Sequence, residues 1–254
     1  MNVLELFSGT KSIGKVCDQL GWNSVSVDMI MEADHKCDIM EFDYKQYPKD
    51  YFGICWGSPP CTAYSNLQSC WLGRKKADGQ IYTKEKMESD MIDADMIVKK
   101  TLEIIDYFEC EYWFMENPAT GRLKNREFMK DIPFYDVSYC MYSDWGYEKK
   151  TRIWTNKKDW SNQICDKSGA CGNMVESQHK QVLGNGYDKR KKHKLNVAND
   201  VHTIGEKKEK GGKFHSKSAC GGSTKINGNW VNKGTSQLDR YRIPEDLIFS
   251  LFLD

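Results

Sequence analysis

Over the first 118 residues, short apolar runs that halt at a glycine, an aspartate or a proline alternate with stretches of helical character. "NVLELFS" (residues 2–8) stops at Gly9 and gives way to a helix-like stretch from Ser12 to Leu20, and "SVSVD" stops at Asp28. "YFGICWG" ends at Gly57, and "EYWFMENP" is closed by Pro118. Around "CDIMEF" (residues 37–42) the pattern allows either a further strand or a turn. Between Glu85 and Phe108 apolar residues recur at Met91, Ala94, Val98, Leu102, Ile105 and Phe108, the three-and-four spacing of one face of a long helix. Strands that alternate with helices in this way predict an α/β fold built on a doubly wound, mostly parallel sheet.

The texture changes after Trp154. Residues 155–236 are rich in Lys, Gly, Asn and Ser and include "KRKKHK" and "GEKKEKGGK", which suggests a small basic, loop-rich lobe with short strands near "HTIG" and "NWVN". From Lys149 to Arg240 there are 20 lysines and arginines against 8 acidic residues, whereas the rest of the chain holds 17 against 28. An acidic body therefore carries a basic lobe suited to phosphate-rich partners. The closing "RYRIPEDLIFSLFL" predicts a helix that starts at Pro244 and packs its apolar face back on the body. We accordingly divide the chain at 1–156, 157–238 and 239–254. No apolar run reaches the roughly 18 residues of a membrane span, and no leader precedes "VLELF", so a non-secreted, intracellular protein is expected. Ten cysteines in such a setting suggest thiols or metal ligands rather than a disulfide framework.

The chemistry-bearing residues fall at strand ends. In "ICWGSPPCTAYS", Pro59 and Pro60 terminate the ladder and stiffen the loop that carries Cys61. A buried cysteine acting as a small hydrophobe would look the same in isolation. "LELFSGTKSIG" offers a glycine turn between first strand and first helix, which lets backbone N–H groups approach a nucleotide-like ligand. Asp28 could accept hydrogen bonds from ribose hydroxyls, and Asp38 either meets an adenine amine or simply caps a turn. Glu116, at the end of "FMEN", pairs a carboxylate with the Cys61 thiol at a neighbouring strand end, a combination suited to covalent catalysis.

Taken together and in order, "FSG", Asp28, Asp38, "PPCTAYS", "ENP" and "KTRIW" resemble the cytosine-5 DNA methyltransferases. The resemblance covers residues 1 to about 156 and, weakly, "RYRIP". It implies a Rossmann-like methyltransferase body with a target-recognition lobe at 157–238. It further implies that a Cys61 thiolate attacks C6 of a flipped cytosine, Glu116 attends N3, and Arg152 holds the base or supports both. S-adenosylmethionine would be held by Phe7, Ser8, Gly9, Thr10, Asp28, Met29, Asp38, Ser58 and Pro60 and leave as S-adenosylhomocysteine. The target base would meet Pro59, Ser65, Asn117 and Pro118. The implied partner is double-stranded DNA bound by a monomer, and the compact form looks most like viral or phage members.

Some positions depart from the family pattern. Lys11 and Ser12 stand where glycines are usual, Lys150 where a glutamine is, and Trp154 where a second arginine is; the Gly-Asn-Ala-Val-Pro element is absent. An RNA (tRNA) cytosine-5 methyltransferase and a degenerate DNA-binding relative are the competing readings. Finally, Cys165, Cys171 and His179 are spaced as weak zinc candidates, with Cys220 or His215 as fourth ligand. Without a CxxC pair, unliganded thiols and a surface histidine are the favoured expectation there, and no metal is assigned.

Overall fold

The computed structural model describes residues 1–175, 178–181, 223–226, 229–232 and 241–253. By internal contacts the chain forms two compact units. The first comprises Met1–Ser138, Lys150–Ile164 and Ile243–Asp254; the second comprises Tyr139–Lys149 and Cys165–Arg242.

The first unit is a six-stranded sheet in the order β2-β1-β3-β4-β6-β5, with β1 Asn2–Leu6, β2 Asn23–Val27, β3 Ile54–Gly57, β4 Tyr112–Pro118, β5 Phe134–Ser138 and β6 Lys150–Thr155. The first four strands run parallel, and β6 is antiparallel to both its neighbours. Helix α1 (Ser12–Leu20) follows β1 as expected, α2 spans Lys84–Phe108, and α3 Glu245–Leu253 begins directly after Pro244. The sheet is thus mostly parallel. β5 and β6 are strands that the sequence pattern did not announce, because β5 is short and half-exposed at the sheet edge and both lack a clear alternation.

The pleat sorts the strand residues onto two faces. Register aligns Glu5 with Trp56 and Trp56 with Phe114, and the Trp56 and Phe114 rings both meet Phe252 of α3. Trp22, just beyond α1, also stacks on Phe252, so α1 and α3 cover this face. The opposite face bears Leu4, Leu6, Cys55 and Met115, which pack with Val98, Ile104, Ile105 and Phe108 of α2. Helices on both faces make the sheet doubly wound. Gly57 is what lets α2 settle this closely, since a Cβ there would lie 2.7 Å from Cγ2 of Thr101. Residues 37–42 form a turn, in which the Asp38 carboxylate accepts from Met40 N–H at 2.9 Å while Ile39 and Phe42 drop into the core. Cys55 and Cys110 face each other in that core with Cα atoms 6.4 Å apart, a single pair and no disulfide framework among the described residues.

The second unit has little regular structure among its described residues. A hairpin joins β7 Met174–Val175 to β8 Gln178–His179, and β9 Ser223–Ile226 pairs with β10 Asn229–Asn232, the latter being the expected "NWVN" strand. The "HTIG", "KRKKHK" and "GEKKEKGGK" stretches lie outside the described residues.

Candidate active site

At the C-terminal end of β1 the chain turns through Phe7 and Gly9, both at positive φ (60° and 48°), and Lys11 enters α1 in the left-handed region without a side-chain cap. The cap comes from elsewhere. Glu5, 3% exposed on β1, accepts the N–H groups of Ile13 and Gly14 at 3.1 Å each, satisfying two of the donors that a helix start leaves open. Burial pushes its carboxyl up to about 7, against the opposing pull of those two N–H groups. Glu5 escaped the sequence analysis, although an acidic residue inside "VLELF" was its signal: a charged side chain in a buried strand must be partnered.

Asp28 closes the same turn. One carboxylate oxygen accepts from Gly9 N–H at 2.9 Å, and the other from Ile30 and Met31 N–H at 2.8 and 2.7 Å. A carboxylate offers about four acceptor positions, so roughly one remains for a ligand hydroxyl. Beside it, Ser8 is buried and its hydroxyl has no partner, Thr10 shares a hydrogen bond with Ser12, and Met29 and Ile30 are exposed by 60% and 74%.

The loop that leaves β3 is tied to β4. Ser58 Oγ receives the Trp56 indole N–H at 3.0 Å, and buried Pro59 offers its carbonyl to Asn117 Nδ2 at 2.9 Å. Asn117 is fully buried, and its Oδ1 has no partner. The residue beside the Glu116 carboxylate therefore clamps the loop two positions before Cys61. Cys61 is a half-buried thiol, and Glu116 is 7% exposed. Parallel register sets Gly57 opposite Met115, so both residues emerge at the C-terminal edges of adjacent strands. Past Cys61, Tyr64 is wholly buried, its carbonyl accepts Arg122 N–H at 2.8 Å, and its hydroxyl donates to Asp95 of α2 at 2.8 Å. Asp95 is held in turn by Arg126, which also reaches Glu88. Burial and the Asp95 carboxylate push the Tyr64 hydroxyl upward, keeping it a donor. Ser65 caps the following 3-10 turn through Leu67 N–H, and Pro60 is exposed.

Arg152 is engaged by Asp136 of β5. Its register partners are Asn117 and Asp136, so it lies on the sheet face away from Glu116. Its guanidinium holds Asp136 bidentately at 2.7 and 2.9 Å and stacks 3.5 Å from the Phe134 ring centroid. Pro118 ends β4, its carbonyl accepting Gly121 N–H. A 620 Å³ depression lined by Lys99, Glu103, Trp113 and Asn156 opens at the start of β4, the end remote from Glu116. Cys165, Cys171 and His179 belong to the second unit, where their side chains converge.

No family model matches the chain. Over 177 residues, however, it is 38% identical to the "Probable DNA (cytosine-5)-methyltransferase" of Frog virus 3 (isolate Goorha), a match covering 68% of this chain and 79% of that protein. The chain belongs to the DNA (cytosine-5)-methyltransferase family. Among solved structures, this methyltransferase family member is similar to the Entamoeba histolytica methyltransferase EhMeth (TM-score 0.48, 12% identity, covering 99% of this chain and 96% of that one). It is similar as well to the S. pombe Dnmt2 methyltransferase (TM-score 0.40, 12% identity, covering 72% and 57%). No helix among the described residues is long and apolar enough to cross a membrane.

Proposed function

We propose that the protein transfers a methyl group from S-adenosylmethionine to C5 of a cytosine in double-stranded DNA, with Cys61 as nucleophile. The observation that carries this reading is the clamp between Asn117 and the Pro59 carbonyl, 2.9 Å, which couples the Cys61 loop to the strand end bearing Glu116. A thiol and a carboxylate coupled in this way suit addition to a pyrimidine.

The residues after β1 and β2 fit the cofactor. The buried, unpartnered Ser8 hydroxyl, the spare acceptor position of Asp28 and the exposed Met29–Met31 apolar surface suit a carboxylate-bearing nucleoside with a flat base. Phe7, Gly9, Thr10, Asp38, Ser58 and Pro60 would complete the holding set. When bound, S-adenosylmethionine supplies an electrophilic methyl group.

The chain's own residues supply the activation. The Cys61 thiolate forms a bond to C6 while Glu116 delivers a proton to N3, and the electron pair displaced from the C5–C6 bond makes C5 nucleophilic. Once C5 carries the methyl group, loss of the C5 proton to solvent returns that pair, the S–C6 bond breaks, and N3 gives its proton back to Glu116. Pro59, Ser65, Asn117 and Pro118 frame the pocket, and we place the positioning role of Arg152 in bracing β5 against β6 through Asp136. The target must leave the duplex to reach such a site, at a cost of a few kcal/mol. The lysine-rich stretch within 157–238 is suited to holding the phosphate backbone.

Trapping tests this directly. Duplex DNA containing 5-fluorocytosine in varied contexts, incubated with S-adenosylmethionine, should yield a denaturation-resistant adduct on Cys61, because fluorine blocks the final elimination. An adduct on fluorinated RNA but on no DNA would move the substrate to RNA, and absence on both would refute the covalent reading.

A further inference from the structure

We propose that Cys140, Cys165, Cys171 and His179 bind one zinc ion in tetrahedral coordination, and that this ion cross-links the second unit. This assignment is independent of the methyl-transfer reading. The four ligand atoms all lie within 4.8 Å of one another, and Nε2 of His179 is 3.7 Å from each of the Cys165 and Cys171 sulfurs. Zinc–sulfur bonds of about 2.3 Å in a tetrahedron put neighbouring ligand atoms about 3.8 Å apart, so the cluster is already close to coordination geometry. Cys140 and Cys165 are buried, at 1% and 6% exposure. Three sulfurs with one imidazole match zinc's preference among the common divalent metals. A disulfide is a poorer account, because pairing two of three cysteines would leave a buried thiol and the imidazole without a function.

The backbone is built to hold this arrangement. Asn173, 2% exposed, donates from Nδ2 to the carbonyls of Cys140 (2.8 Å), Ser143 (2.6 Å) and Cys171 (2.9 Å) and accepts Gly146 N–H on Oδ1 (3.0 Å). It thereby pins the Cys140 segment to the Cys171 segment. The loop from Cys165 to Cys171 folds back through positive φ at Lys167 and Gly169, and Gly172 follows likewise. The β7–β8 hairpin then returns His179 opposite Met174, three residues past Cys171. The described part of this unit has only short strands and one 3-10 turn, Tyr139–Met141. A cross-link between distant segments is how small, loop-rich units commonly gain stability.

The sequence favoured unliganded thiols here, and it looked downstream to His215 or Cys220 for a fourth ligand; both lie outside the described residues. The structure supplies Cys140 instead, 25 positions upstream of Cys165, a separation that no local spacing motif encodes.

Metal analysis of the full-length protein, purified under reducing conditions, should find about one equivalent of zinc. X-ray absorption on that sample should show a first shell of three sulfurs and one nitrogen. Cobalt exchanged into the wild-type protein should give the intense visible bands and thiolate charge transfer of a tetrahedral site. Cys140→Ala and Cys171→Ala should each lower bound zinc about tenfold, while Cys70→Ala, at an exposed cysteine outside the cluster, should leave it unchanged. Zinc below about a tenth of an equivalent, both as purified and after refolding with zinc and reductant, would overturn the assignment. So would a first shell without sulfur, which the wild-type spectra decide even if the variants fail to fold.

Discussion

Glu5 makes the fold pH-dependent in a direction opposite to that of most structural carboxylates. Its carboxyl is raised from 4.5 to about 7 because burial costs the charged form more than two N–H bonds return. Between those two values the native state keeps a proton that the unfolded chain has already lost. Stability must therefore fall as pH rises through this window. The penalty is absent below pH 4.5 and complete above about 7; a shift of this size is worth about 3 kcal/mol at 1.36 kcal/mol per unit. Glu5→Gln keeps one oxygen for Ile13 or Gly14 but turns an amide donor toward the other N–H, so it is less stable at low pH yet has no titration. Urea unfolding of both proteins from pH 4.5 to 8 isolates the effect, since histidines and surface carboxylates cancel in the difference. The wild-type advantage over Glu5→Gln should shrink by about 3 kcal/mol, mostly between pH 5 and 7. Parallel curves, or an advantage that grows with pH, would refute the argument that desolvation outweighs the helix N–H groups at this position.

Further perturbations probe the Cys61 loop. Cys61→Ser should abolish adduct formation and reduce turnover by at least about a thousandfold, with S-adenosylhomocysteine affinity by calorimetry unchanged; a loss of affinity would mean that the thiol supports the cofactor site instead. Asn117→Asp keeps shape but loses the N–H donated to Pro59, so kcat should drop about tenfold or more while KM for S-adenosylmethionine stays put. Equal effects on both parameters would argue against a role confined to the nucleophile loop. Tyr64→Phe removes the hydroxyl bonded to Asp95 and should cost about 1–2 kcal/mol in urea unfolding. No measurable change would show that Arg126 alone satisfies Asp95.

What was legible in the sequence depended on how local the determining physics is. Helix α1 runs over the expected residues, α2 differs from expectation by a single residue at its start, and Pro244 marks the start of α3, because periodicity and proline chemistry act within a few residues. β5 and β6 are set by long-range pairing: β6 enters antiparallel between β4 and β5, and nothing within "KTRIWT" announces that direction. The same divide runs through the candidate residues. Cys61 lies four residues past the end of β3 and Glu116 within the last residues of β4, so each is placed by its own strand. Arg152 sits one residue out of phase with Glu116 across the β4–β6 ladder, and a one-residue offset on a strand changes the face of the sheet. Asp95 was hidden for a related reason. It falls on the buried stripe of α2 between Met91 and Val98, where only the partners Tyr64 and Arg126, brought by other segments, make a carboxylate tolerable.

The Cys61 loop is consequently held by one layer of the fold while the Glu116 carboxylate belongs to the other. Tyr64, Asp95 and Asn117 act on the face covered by α2, and Glu116 projects toward the face covered by α1 and α3, where Glu5 fixes the start of α1. Both arrangements share the adjacent ends of β3 and β4, locked by parallel register from Ile54↔Tyr112 to Gly57↔Met115. Gly57 is the hinge point of that lock: it allows Thr101 of α2 to touch the sheet and hands the chain directly to the Ser58-Pro59-Pro60 segment. The two prolines then remove the freedom that the glycine admits, which is why this loop can be both closely packed at its base and stiff at its tip. The proposed covalent mechanism needs that combination. The thiol must meet a ring carbon while the carboxylate meets a ring nitrogen of the same base, and misplacement by about 1 Å costs orders of magnitude in rate. Separate anchoring of the two groups through a shared pair of strand ends fixes their spacing without requiring either to be buried by the other.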